Sequence, residues 1–296
     1  MEDVIMNKCF RIAVLMSASV MALAACSKES VTPSTSDGGV RKIITFNAGP
    51  VDTKTVFGDK AGNKYPTLWT ANQQVAISYN LGEFQNVDVT NISEDQTTAS
   101  FTATVEPDLT EGATHTFYAV SPADASKYIN EKPYVSIQML QQPLQNSCDE
   151  MSQLLVAKSQ SFTTIPNYVS LDFNHVVAYG KMTLKFPEEI VGIDHIQIDS
   201  SEEIAGWFVY NSDTHLLEKS TDGRYKGYNY FLLRPQSSEG IYFSIAPIGD
   251  MQGKSLTVTV NTTDKKTYTK IIAPTEPGKL AFNAGQVSEF TVNFTK

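Results

Sequence analysis

From residue 42 onward, apolar and polar positions alternate with a period of two in short segments. Ile44 and Phe46 flank Thr45; Val75, Ile77 and Tyr79 alternate with Ala76 and Ser78; Ala99, Phe101, Ala103 and Val105 alternate with Ser100, Thr102 and Thr104. This pattern sets apolar side chains on one face of an extended chain and hydroxyls on the other, as a half-buried antiparallel strand requires. Similar segments occupy residues 116–120, 135–139, 154–157 and 169–173. Turn formers separate them, among them Gly58 with Asp59, Gly62 with Asn63, Pro107 with Asp108 and Glu111 with Gly112. A second set opens at residues 181–186, where Lys181, Thr183 and Lys185 alternate with Met182, Leu184 and Phe186 until Pro187 ends the run. It continues through residues 195–198, 207–210, 230–233, 241–246, 256–260, 267–271 and 290–294. No stretch of a dozen residues keeps a helical period with both caps, and the best helical candidates are residues 124–129 and 149–155. Successive strands with short turns predict an all-β chain of two tandem antiparallel β-sandwich domains, residues 43–174 and 175–296, with the seam near residues 174–180.

The first forty residues follow another pattern. Lys8 and Arg11 precede a fourteen-residue run of Ile, Ala, Val, Leu, Met and Ser, residues 12–25. That run is short of the ~20 apolar residues of a spanning helix and has the length of a signal-peptide core. Leu23, Ala24, Ala25 and Cys26 close it, in a sequence that resembles a lipoprotein signal-peptidase site. The small residues suit a peptidase groove, and Cys26 is the expected lipidated N-terminus. An ordinary secretory signal with a chance cysteine is the alternative. Met6 opens a more usual signal than Met1, since Glu2 and Asp3 are acids ahead of the apolar run. Residues 1–26 are thus expected to be a signal peptide through the lipidated cysteine. Residues 27–42, rich in Ser, Thr, Pro and Gly, are expected to be a flexible tether.

Charge and cysteine content narrow the partners. A net charge of −9 with no basic run argues against nucleic acid. Of three cysteines, Cys9 lies in the signal and Cys26 is committed to lipid, which leaves Cys148 without an intramolecular partner. An exported chain without disulfides must hold itself by core burial.

The order of landmarks resembles the fimbrillin family of Bacteroidales. The residues that carry it are Ile44, Thr45 and Phe46; the strand Leu68 and Trp69, followed by Gln74, Val75 and Ile77; and Ala99 with Phe101. Next come Phe117 through Pro122, Ile137 with Gln141 and Pro143, and Leu171, Phe173 and His175. Phe243, Ile245 and Pro247, then Phe282, Ala284 and Gly285, complete the set. Each motif is short; their combination spans nearly all of the chain after the signal. The resemblance implies transthyretin-like sandwiches and a non-enzymatic fimbrial subunit contributing to adhesion. It implies a surface-exposed lipoprotein of the outer membrane, with other fimbrial subunits, membrane lipid through Cys26, and a host or bacterial receptor or glycan as partners. In that family an Arg-specific protease cuts the precursor and subunits join by strand addition, in which edge hydrogen bonds supply affinity and alternate pockets supply register. Arg41, the one arginine between Arg11 and Arg224, is the candidate cleavage site. Ile43, Ile44, Phe46, Phe290, Val292 and Phe294 are the candidate strand-exchange residues. Only Thr295 and Lys296 follow Phe294, which favours a tip or accessory subunit over a shaft subunit, with donation of residues 290–294 as the minority alternative.

Catalytic signatures are missing from the sequence. His115, His175, His195 and His215 are scattered without metal-ligand spacing, no nucleophile elbow is present, and no cofactor or metal is expected. The run from Gly249 to Ser255 is one residue short of a phosphate loop and leads into a strand, so it reads as a hairpin turn. Trp207, Tyr210, Tyr225 and Tyr228 form an aromatic concentration that could stack on sugars. The plainer reading is a loop entering a strand that buries Tyr230 and Leu232. A free surface lipoprotein that binds glycan or another ligand is therefore the alternative function.

Overall fold

The alternating segments become strands in the computed structural model, which describes residues 40–49, 68–237 and 240–295. In chain order these are β1 (Lys42–Ala48), β2 (Gln74–Tyr79), β3 (Gln85–Asp88), β4 (Ala99–Val105), β5 (Phe117–Ser121), β6 (Ser126–Ile129), β7 (Lys132–Ile137), β8 (Leu140–Gln141), β9 (Leu155–Lys158), β10 (Tyr168–Leu171) and β11 (Asn174–His175). There follow β12 (Ala178–Lys185), β13 (Ile193–Ser200), β14 (Ala205–Asn211), β15 (Leu216–Lys219), β16 (Gly227–Tyr228), β17 (Tyr230–Leu233), β18 (Ile241–Ile245), β19 (Gly249–Asp250), β20 (Leu256–Thr262), β21 (Thr267–Ile272), β22 (Ala281–Phe282) and β23 (Val287–Asn293). No α-helix is present among the described residues.

The two halves repeat one arrangement. β1 lies between antiparallel β4 and parallel β10, and β12 lies between antiparallel β18 and parallel β23. Thus the first strand of each set is central in a three-stranded sheet, and the last strand returns parallel to it. The inward residues are Ile44, Phe46 and Phe101 in one sheet and Met182, Phe243 and Val292 in the other, all essentially inaccessible. Burying each large side chain of this kind stabilises the fold by about 1.5–3 kcal/mol.

A five-stranded sheet, β11-β9-β5-β2-β3, lies across from the first of these. Its three inner strands, β9, β5 and β2, are buried on both faces. Val75, Ile77, Phe117, Ala119, Leu155 and Ala157 join one apolar core, whereas Ala76, Val120 and Val156 join the other. Two-sided burial explains why the segment from Phe117 to Val120 is continuously apolar rather than alternating.

Hydrogen bonding also crosses residues 174 and 175. β7 pairs antiparallel with β14, placing Trp207 opposite Ser136 and Val209 opposite Tyr134. β8 pairs parallel with β17. The Gln141 side chain then reaches the edge of β18, where Nε2 donates to the Ser244 carbonyl at 2.8 Å and Oε1 accepts from the Ser244 N–H at 2.9 Å. A side chain thereby takes the place of a neighbouring strand at a buried edge. The described residues cluster as one compact unit.

Three local expectations are corrected. Residues 124–129 and 149–155 are not helical beyond single 3₁₀ turns, Ala123–Ala125 and Glu150–Ser152, each of which leads into a strand. Short turn-forming stretches of this length cannot offset the cost of nucleating an α-helix against strand pairing available on either side. Leu68 and Trp69 form no strand; Trp69 instead plugs the first core, edge-on to Phe173 at 5.2 Å. In β17 it is Phe231 and Leu233 that are fully buried, while Tyr230 is exposed. The strand is flipped by one residue from the expected face because Phe231 packs against Phe243 at 5.5 Å.

Candidate interaction surfaces

Residues 1–39 lie outside the described residues, and Cys26 with them. The first described strand begins directly after Arg41. The Arg41 guanidinium Nε lies 2.9 Å from Glu106, with both side chains largely in solvent, 74% and 61% exposed. Such a surface pair contributes about 0–1 kcal/mol and leaves the arginine accessible.

β1 itself is held on both sides. It matches β4 from Lys42 opposite Val105 to Ala48 opposite Ala99, and β10 from Thr45 opposite Tyr168 to Ala48 opposite Leu171. Ile44 and Phe46 point inward; Phe46 stacks on Phe101 at 5.7 Å and meets Phe117 edge-on at 5.3 Å. Ile43 points outward and is 68% exposed. A cut after Arg41 would therefore release the preceding chain and leave β1 in its sheet, still joined to the molecule through Gly49.

The last strand is an edge strand, paired along β12 on one side. Met182 lies opposite Phe290 and Leu184 opposite Val292, and the Phe294 N–H donates to the Lys185 carbonyl at 2.8 Å. Phe290 packs edge-on against Phe243 and Phe282, and Phe294 stacks on Phe186 at 5.2 Å.

The aromatic residues separate into different places. Trp207 and Tyr225 meet edge-on at 5.6 Å, and Tyr134 of β7 lies 6.0 Å from Tyr225. Lys127 Nζ sits 5.3 Å from the Trp207 ring and 5.2 Å from the Tyr225 ring, while Arg224 lies 5.9 Å from Tyr225. Tyr228 carries Lys226 at 5.5 Å and touches Tyr230. Gly206 makes this packing possible. Its φ of +86° favours glycine, and a Cβ there would lie 2.7 Å from both the Lys226 carbonyl and the Tyr228 ring. Tyr210 does not join the group: it faces the core, bonded to His215 Nδ1 at 2.7 Å. Lys127 and Tyr134 were not singled out from the sequence. They come from the first half, and only the β7–β14 pairing brings them to Trp207.

The histidines are tied into the scaffold. His115 pairs with the Tyr79 hydroxyl at 2.7 Å, His175 with the Tyr179 hydroxyl, and His195 lies between Asp194 at 3.0 Å and Asn261 at 3.1 Å. Among the described residues no cluster of His, Cys, Asp or Glu could hold a metal ion. Burial, with Asp149 adding to it, pushes the Cys148 thiol well above its ordinary pKa, so it is not poised as a nucleophile. The expected hairpin turn from Gly249 to Ser255 is corrected: Gly249 and Asp250 form β19, which pairs with β22, and the turn at Gln252 and Gly253 carries the chain on to β20, which pairs with β13 and β21.

No family model and no curated protein matches this sequence. Solved structures do. A proposed cell adhesion protein from Bacteroides uniformis superposes with a TM-score of 0.52 at 16% identity, over 86% of this chain and 94% of that one. A second proposed cell adhesion protein, from Bacteroides fragilis, gives 0.49 at 12% identity over 86% and 93%. The fimbrial anchor protein Mfa2 of Porphyromonas gingivalis gives 0.44 at 10% identity over 86% and 90%. The chain thus has the all-β fold of the Bacteroides uniformis protein.

Proposed function

We propose that this protein is a non-enzymatic subunit of a cell-surface fimbrium, exported as a lipoprotein on Cys26, exposed at the outer membrane and contributing to adhesion. The adhesion role named for the Bacteroides uniformis protein enters here as part of that proposal. The observation that carries it is the placement of the two terminal strands. β23 is committed along its length to β12, so a tip or accessory position suits this subunit better than a shaft position that donates its last strand. β1 fills the centre of its sheet directly after an accessible arginine. Cleavage after Arg41 frees the subunit from its lipid tether, and a partner strand can then compete for the β1 groove. Emptying that groove exposes Ile44 and Phe46, at about 1.5–3 kcal/mol each, together with two hydrogen-bonded ladders. The groove therefore opens by exchange rather than by cleavage alone.

Fractionation of cells expressing the wild-type and Arg41→Ala proteins tests this reading. The wild type should appear in sheared pilus preparations with Lys42 as its N-terminus, and Arg41→Ala should stay with the outer membrane. Wild-type protein found only as the uncut, membrane-bound form would refute it.

A further inference from the structure

The aromatic cluster on the sheet that joins the two halves carries three ring-held cations. On a chain of net charge −9, Lys127, Arg224 and Lys226 are each seated over a ring, and all three are exposed. Among the described residues neither lysine has a carboxylate partner, and Arg224 is only 3.8 Å from Asp222. The other acids nearby are already turned elsewhere: Glu202 pairs with Lys219, and a Glu203 carboxylate oxygen is buried beside Gly227.

This occupancy changes what the rings can do. A sugar cannot stack squarely on the Trp207 and Tyr225 faces that Lys127 covers, so a neutral glycan gains little there. The cations, however, keep their N–H donors free while the rings hold them in place. Holding a lysine or arginine before the ligand arrives reduces the side-chain entropy lost on binding. Charge-assisted hydrogen bonds to carboxylate or sulfate are the strong ones, and Arg224 can offer two at once. We infer that the surface formed by Lys127, Trp207, Arg224, Tyr225, Lys226 and Tyr228 binds an acidic polysaccharide, with the cations taking its anionic groups and the ring edges packing on its sugar carbons. Because Lys127 belongs to the first half and the rest to the second, the ligand bridges β6 and the β15–β17 loop. Binding therefore raises the melting temperature. The inference stands apart from the fimbrial reading, and either can fail alone.

Binding of the purified protein to heparin, polygalacturonate, neutral dextran and polyglutamate tests it, measured at low and at physiological salt. The expected result is binding to one or both acidic polysaccharides, weakening with salt, with no binding to dextran and weaker binding to polyglutamate. Heparin alone would identify sulfate as the recognised group, and polygalacturonate would identify carboxylate. Lys127→Gln, Arg224→Gln and Lys226→Gln should each weaken binding about fivefold, the loss of roughly one charge-assisted contact. Trp207→Leu keeps the charges but loses both a ring that holds Lys127 and a ring edge for the sugar, so it should weaken polysaccharide binding more than polyglutamate binding. No binding to either acidic polysaccharide would overturn the inference. So would equal affinity for dextran or polyglutamate, or an affinity that the three glutamine variants leave unchanged while their circular dichroism matches the wild type.

Discussion

Gly180→Ala should destabilise this protein more than any ordinary glycine replacement in a strand. Gly180 lies in β12 opposite Phe243, whose ring crosses the bare Cα. A Cβ at this position would stand 2.1 Å from Cζ of Phe243 and 2.5 and 2.6 Å from its two ε carbons. Carbon atoms pack at about 3.5–4.0 Å, so the ring or the strand must move by more than 1 Å. Neither has room. Phe231, Phe282 and Phe290 surround the ring with centroids at 5.5–6.2 Å, and β12 is hydrogen-bonded on both sides. Overpacking typically costs about 1–3 kcal/mol, and the absence of an escape route puts this case near 3 kcal/mol. Urea unfolding followed by tryptophan fluorescence reads it as a midpoint lowered by ~1 M, for a slope near 3 kcal/mol/M. Phe243→Leu in the same chain should return at least ~1 kcal/mol relative to the sum of the two single changes, since the two side chains then no longer compete for the space. A Gly180→Ala protein within ~0.5 kcal/mol of wild type would refute the packing argument, as would strict additivity with Phe243→Leu.

Other consequences are independent of that site. Gln141→Ala leaves the Ser244 N–H and carbonyl buried and unpaired, so thermal or urea unfolding should show a loss of about 2–4 kcal/mol. Cys148 is fully buried with its pKa raised, so iodoacetamide or a disulfide reagent should modify it only after unfolding, and rapid modification of the native protein would contradict the structure. Asp250 accepts the N–H groups of Gln252 at 3.0 Å and Gly278 at 2.9 Å, which together hold its carboxyl below the usual value of 3.8. A lowered folded-state pKa gives stability that is present above the unfolded pKa and lost as pH falls through the folded one. The stability difference between wild type and Asp250→Asn should therefore be constant at neutral pH and shrink below about pH 4.

Strand positions were legible in the longer strands with one buried and one solvent face, whereas the short and largely exposed β3, β6 and β15 carried no alternation strong enough to mark them. Alternation around Phe101 and Met182 gave both the element and its inward residues, because the pleat makes the pattern and the core enforces it. Where burial is two-sided, as at Phe117 to Val120, the strand was found but the pattern did not mark an inward face, since a strand between two cores has no solvent side. The one-residue error at Tyr230 has the same origin: alternating apolar residues do not say which set faces in, and the aromatic neighbours of Phe231 decide it. Pairing partners far apart in sequence left no local trace. Nothing near Lys127 or Tyr134 announces Trp207, and nothing near Gln141 announces Ser244. Hence the aromatic group was half visible, through Trp207, Tyr225 and Tyr228, while the lysine that occupies it was not.

Assembly by strand exchange can be tested by locking one strand at a time. Cysteines at the register partners Thr45 and Thr102 would tie β1 to β4, and cysteines at Thr183 and Thr291 would tie β12 to β23. Oxidised cells carrying each pair should then be assayed for the protein in sheared pilus preparations. The β12–β23 lock should leave incorporation unchanged and the β1–β4 lock should abolish it, with dithiothreitol restoring it; normal incorporation with β1 locked, or its loss with only β23 locked, would contradict the account.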